Sequence, residues 1–144
     1  MKRTTTARLE DILRSAQSEP QLKEYLDSIT AYQNSLSFSA CFALLLEKYG
    51  AQRSEVIASS GIERTYGYQL LGGLRKPGRD KVLSLCLALG CTVEEACRAL
   101  ICSGAAPLYA KDRRDAVLLF ALDRKLSVSD TNELLEEFDL PLLG

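Results

Sequence analysis

Within residues 51–81, six basic side chains stand against three acidic ones, a local charge of +3 in a chain whose net charge is −1. Arg64, Thr65, Tyr68 and Gln69 share one face of a short helix, because residues three and four apart line up along a helix surface. Their types suit the edges of base pairs. Arg can donate two hydrogen bonds to guanine O6 and N7, Gln can pair with adenine N6 and N7, and the Thr methyl can touch a thymine methyl. Tyr68 offers stacking against a sugar or a hydrogen bond to a phosphate. Arg53, Arg75, Lys76 and Arg79 lie at helix ends or in the loop that follows that helix, where cations clamp phosphates.

Other chemistry is poorly provided for. The chain contains no histidine, which removes the commonest general base and excludes Ser-His-Asp and Cys-His catalysis. No enzyme activity is expected. The five cysteines, Cys41, Cys86, Cys91, Cys97 and Cys102, form an odd set inside apolar helical patterns and read as reduced core thiols. The Cys86-x4-Cys91 and Cys97-x4-Cys102 spacings differ from the C-x2-C pairs of structural zinc, so no metal or other cofactor is expected. The longest apolar run, near residues 40–46, ends in Glu47 and Lys48 and is too short to cross a bilayer. Lys2 and Arg3 lead into Thr4, Thr5 and Thr6 rather than the apolar middle of a signal peptide, which points to a cytoplasmic location. The threonine run reads as a frayed helix cap, with phosphorylation as the alternative.

The elements that must position these side chains are all helical, because the apolar residues recur at three and four rather than at two. An N-terminal hairpin is expected from residues 6–16 and 18–29, with Ser18 as a cap and Leu22, Tyr25, Leu26 and Ile29 inward. A core helix over 38–49 ends at Gly50. Two short helices, 52–60 and 63–71, flank Gly61, and Gly72 and Gly73 close the second. Residues 80–89 form the next, and Thr92 with Glu95 gives the capping box of a helix reaching 101. After the break at 104–107 a final pair is expected at 112–123 and 127–138. No internal repeat is evident in the pattern. The expected organisation is a hairpin over 1–34, a five-helix central domain over 35–104 and a C-terminal pair over 105–144, packed together.

The two short helices around one glycine have the proportions of a helix-turn-helix. Gly61, the run Gly73-Leu74-Arg75-Lys76-Pro77 and the following helix, turn and capping box from Leu85 to Glu95 strengthen that reading. Over about residues 38–104 the sequence resembles the phage-repressor-like (XRE, Cro/C1-type) helix-turn-helix family of bacteria and phages. The resemblance implies a lambda-repressor-like five-helix fold, a reading helix at Glu63–Leu71, and Arg64, Thr65, Tyr68 and Gln69 turned toward the major groove. Leu70, Leu71 and Leu74 are expected on its packed side.

Three residues depart from the family pattern. Ile57 stands where a small residue is usual and Gly67 where an aliphatic one is usual; the two are read as one exchange across the helix crossing. Glu63 replaces a Ser or Thr cap, which suits the helix dipole but sets a negative charge near phosphates. Residues 128–144 hold Asp130, Glu133, Glu136, Glu137 and Asp139 without one base. This acidic helix reads as a solvated outer face or as a partner or dimer surface through Leu134, Phe138 and Leu142.

Two functions follow as expectations. The first is a sequence-specific regulator of transcription that binds double-stranded DNA as a homodimer on a pseudo-palindrome, with no small-molecule cofactor. The second is a non-catalytic adaptor or antitoxin-like protein that uses the same bundle to hold another protein.

Overall fold

The computed structural model describes residues 36–144 together with Leu22 and Lys23. The chain divides into two compact units, Met1–Leu36 and Ser37–Gly144. Apart from Leu22 and Lys23, the hairpin expected at 6–29 lies outside the described residues, as do Ser18 and the 4–6 threonines. Leu22, expected to face inward, is exposed. Residues 105–144 share one unit with the central helices.

Every regular element among the described residues is an α-helix, and seven lie in the second unit. Helix α1 (Phe38–Tyr49) buries Phe38, Cys41, Phe42, Leu45 and Leu46, the stripe that a period of about 3.6 residues selects. Ser37 caps its start by accepting from the Ala40 amide, and Gly50 ends it at φ 60°. Helices α2 (Arg53–Ser60) and α3 (Arg64–Leu71) meet around Gly61, whose φ of 78° a side chain would disfavour. Helix α4 (Arg79–Leu89) packs against α2, and α5 (Val93–Cys102) against α1 and α4. The expected capping box forms: Thr92 Oγ1 accepts from the Glu95 amide at 3.1 Å and Glu95 Oε1 from the Thr92 amide at 2.9 Å. Helices α6 (Arg113–Asp123) and α7 (Val128–Glu137) pack on each other and on α4. All five cysteines are free; Cys41, Cys86 and Cys91 are buried, and Cys97 and Cys102 half-buried.

The second unit contains an internal repeat, contrary to the expectation from residue pattern. Residues 79–109 and 114–144 are two copies of one helical hairpin offset by 35 positions, and the hydrogen bonds that clasp one copy to the other match atom for atom. Arg79 Nη1 and Nη2 donate to Asp115 Oδ1 and Oδ2 at 2.8 Å, while Arg114 Nη1 and Nη2 donate to Asp80 Oδ1 and Oδ2 at 2.9 Å. Arg79 also donates to the carbonyls of Ala106 and Pro107, and Arg114 to those of Pro141 and Leu142. The Tyr109 amide donates to Asp115 Oδ2 and the Gly144 amide to Asp80 Oδ2.

This reciprocity is the pattern of an isologous interface, in which residue i touches j and the counterpart of j touches the counterpart of i, here realised within one chain. Two bidentate pairs of this kind combine charge with fixed geometry. Burial works against the charged form of Asp115, yet Arg79 and the Tyr109 amide hold its pKa below the ordinary carboxylate range. Asp80 is held low in the same direction, first by Arg114. The equivalent core positions Leu83 and Leu118, Cys86 and Ala121, Leu87 and Leu122, and Leu100 and Leu135 are all buried. Where the first copy turns on Gly90 (φ 76°) and Gly104 (φ 84°), the second uses Lys125 (φ 56°) and Asp139 (φ 57°). The turn glycines that would mark a repeat in sequence are therefore missing from one copy.

Candidate nucleic-acid interface

The position of α3 is set by its contact with α2. A Cβ placed on Gly67 would come within 2.6 Å of Ile57 Cγ2 and 3.0 Å of Cγ1, so the Ile57 side chain occupies the space that a side chain at 67 would need. The exchange inferred from the sequence is thus a real contact. Ile57 fills the space that an aliphatic residue at 67 would otherwise occupy, and the packed volume is kept.

Glu63 is the N-cap of α3. Its Oε1 accepts from the Thr65 amide at 2.9 Å and its Oε2 from the Tyr66 amide at 2.8 Å. These amides hold its pKa below the ordinary range, with the Tyr66 amide first, so the carboxylate is ionised and bound to the positive end of the helix. Glu63 does the work of a Ser or Thr cap, with a full charge in place of a hydroxyl.

Gly67, Leu70 and Leu71 are buried, whereas Arg64, Thr65 and Tyr68 are exposed and Gln69 is half-buried. The Arg64 guanidinium lies 5.9 Å from the Tyr68 ring centroid, and both side chains border an open cleft of about 370 Å³ with Ser54, Ile57, Ala58 and Ile62. Arg64 is thereby steadied at the rim of the α2–α3 crossing. Arg53 opens α2 and is exposed.

After α3 the chain makes a Schellman turn: Gln69 O accepts from the Leu74 amide at 2.9 Å, and Gly73 sits at φ 84°. Arg75 and Lys76 follow, both exposed, and border a second groove of about 450 Å³ with Ser37, Ser39 and Ser103.

No protein-family model, curated protein or solved structure matches the chain.

Of the four residues expected to face a ligand, three lie open together on α3, and Gln69 is partly withdrawn. Of the four expected phosphate clamps, Arg53, Arg75 and Lys76 are exposed. Arg79 is the correction. All of its guanidinium nitrogens donate within the chain, to Asp115 and to the carbonyls of Ala106 and Pro107, so it holds the repeat together instead of projecting from it. Leu74 is the second correction. Expected on the packed side with Leu70 and Leu71, it is 81% exposed, because the helix has ended and Gly73 has turned the chain outward. The Gly72-Gly73 pair was the signal that the helical period stops there. Phe138 and Leu142 are exposed and Leu134 is half-buried.

Proposed function

We propose that the chain is a DNA-binding regulator of transcription that inserts α3 into the major groove. The observation that carries this reading is the exposure of Arg64, Thr65 and Tyr68 on α3, with exposed Arg53 at the start of α2 and exposed Arg75 and Lys76 in the loop that follows α3. Basic side chains before and after a short helix with an exposed polar face suit a duplex, whose phosphates line both edges of the groove. In this reading Arg64 reads guanine, Gln69 adenine and Thr65 a thymine methyl, while Tyr68 lies against the backbone. The chain acts in the cytoplasm as a homodimer, because two half-sites supply the affinity that one small module lacks.

Selection from a randomised duplex library, followed by affinity measurements across salt concentrations, tests the proposal. Binding should weaken steeply between low and physiological salt as bound counterions are displaced. Arg64→Ala should flatten the base preference at one position, whereas Lys76→Ala should lower affinity on every sequence alike. Absence of binding to any duplex at low salt rejects the reading. A protein-binding role is favoured by a separate observation, the open acidic surface of α7.

A further inference from the structure

In the first copy of the repeat, α5 is covered by α1, which runs antiparallel to it. Near the start of α5, Glu95 accepts from Lys48 Nζ at 2.7 Å and from the Tyr49 hydroxyl, both at the end of α1. At the other end, Cys102 and Ser103 share a groove with Ser37 and Phe38. Ala99 and Ser103 are buried along this track.

The 35-residue offset maps the track onto α7. Glu95 corresponds to Asp130, Ala99 to Leu134, Cys102 to Glu137 and Ser103 to Phe138. These positions share one face, being four, seven and eight residues apart. In the second copy they are open: Asp130 and Glu137 are exposed, Leu134 is half-buried and Phe138 is 50% exposed. Helix α6 shows the same contrast, since Leu85 of the first copy is fully buried and its counterpart Phe120 is 46% exposed.

We propose that the α7 face is the docking site for a single amphipathic helix of another protein, seated antiparallel to α7 as α1 is seated on α5, with lysine or arginine flanking its apolar stripe. The first copy supplies the template. The incoming stripe takes the spacing of Phe38, Cys41, Phe42, Leu45 and Leu46, and a cation in the place of Lys48 meets Asp130 in the place of Glu95. Charge selects the partner further, because residues 128–144 present five acidic side chains and no basic one. A second copy of this chain is a poor occupant. Its own α1 is already buried against α5, and two α7 faces brought together would set acid against acid.

The test uses the full chain and two labelled peptides of about fourteen residues, each stabilised as a helix. Both carry leucine at the spacing of the α1 stripe; one has lysines elsewhere and the other glutamates. Fluorescence anisotropy should show saturable binding of the lysine peptide only. Phe138→Asp should weaken it at least about tenfold. Asp130→Lys should weaken the lysine peptide and admit the glutamate one, a gain that loss of fold cannot mimic. No saturation by about 1 mM, equal binding of the two peptides, or insensitivity to both substitutions overturns the proposal. So does self-association of the chain that Phe138→Asp abolishes, since that would give the face to a second copy. Neither substitution touches α2, α3 or the basic loop, so DNA affinity serves as a control that stands or falls separately.

Discussion

The two copies of the hairpin share their interior and differ on their outer surfaces. In the first, α4 and α5 lie under α2 and α1 and hold the candidate DNA-facing helices in place. In the second, the same positions on α6 and α7 are open and carry Phe120, Phe138 and an acidic stripe. The buried leucines and the crossed Arg–Asp pairs are kept in both, so each copy completes the other's polar groups as well as its core. One unit used twice thus gives a scaffold on one side and, among the described residues, an exposed acidic and apolar surface on the other.

Breaking the clasp is the largest perturbation of this arrangement. Asp115→Ala leaves the Arg79 guanidinium and the Tyr109 amide without their acceptor, and removing one partner of a shielded ion pair should cost about 3 kcal/mol in chemical denaturation. Asp80→Ala makes the same cut on the other side and should cost less, since Asp80 is the more exposed carboxylate. A negligible effect of Asp115→Ala would mean that the repeat is held by its apolar core alone.

The next contrast separates Glu95 from its counterpart Asp130, whose side chain makes no hydrogen bond or ion pair to another described residue. Glu95→Gln should destabilise by about 2 kcal/mol, because Glu95 gathers Lys48, Tyr49 and the Thr92 amide, whereas Asp130→Asn should change stability by less than about 0.5 kcal/mol. Burial opposes ionisation of Glu95, yet the bonds from Lys48, Thr92 and Tyr49 outweigh it and bring its pKa from 4.5 to about 2. A carboxyl depressed on folding stabilises fully above its unfolded value, so this contribution is present above about pH 4.5 and is lost as pH falls toward 2. Denaturation midpoints measured from pH 7 to 2.5 should show a smaller loss over that window in Glu95→Gln than in the parent. An unchanged acid profile would remove Glu95 from the account.

The smallest effects lie at the turns. Asp139→Gly should stabilise by about 0.5 kcal/mol, since Asp139 holds φ 57° with a side chain. Gly104→Ala at the matching position should destabilise by about 1 kcal/mol, because φ is 84° there and the new Cβ would meet Lys76 Nζ at 3.0 Å. Equal and small responses in thermal unfolding would show that the two turns do not differ as their residues suggest.

The helices of the second unit, the capping box at Thr92 and the Ile57–Gly67 contact were legible in the sequence because each depends on local spacing or on volumes at one crossing. Arg79 was not. Its type and its place beside a basic loop suit a phosphate, and what claims it is Asp115, which sequence proximity does not reveal. The motif that could have shown this is the dipeptide Arg79-Asp80 recurring as Arg114-Asp115. The repeat itself was masked where Gly90 and Gly104 are answered by Lys125 and Asp139, and where a buried leucine is answered by the exposed Phe120. Leu74 was misplaced because helical periodicity was carried across a turn that ends it.

With no side chain at Gly67, the Ile57 side chain alone sets how closely α3 lies on α2 at this crossing. Variation at Arg64, Thr65, Tyr68 and Gln69 can therefore proceed as a change of lettering on a fixed page. Positions 57 and 67, by contrast, are free to vary only in concert, and a lineage that enlarged one without shrinking the other would re-aim the whole helix.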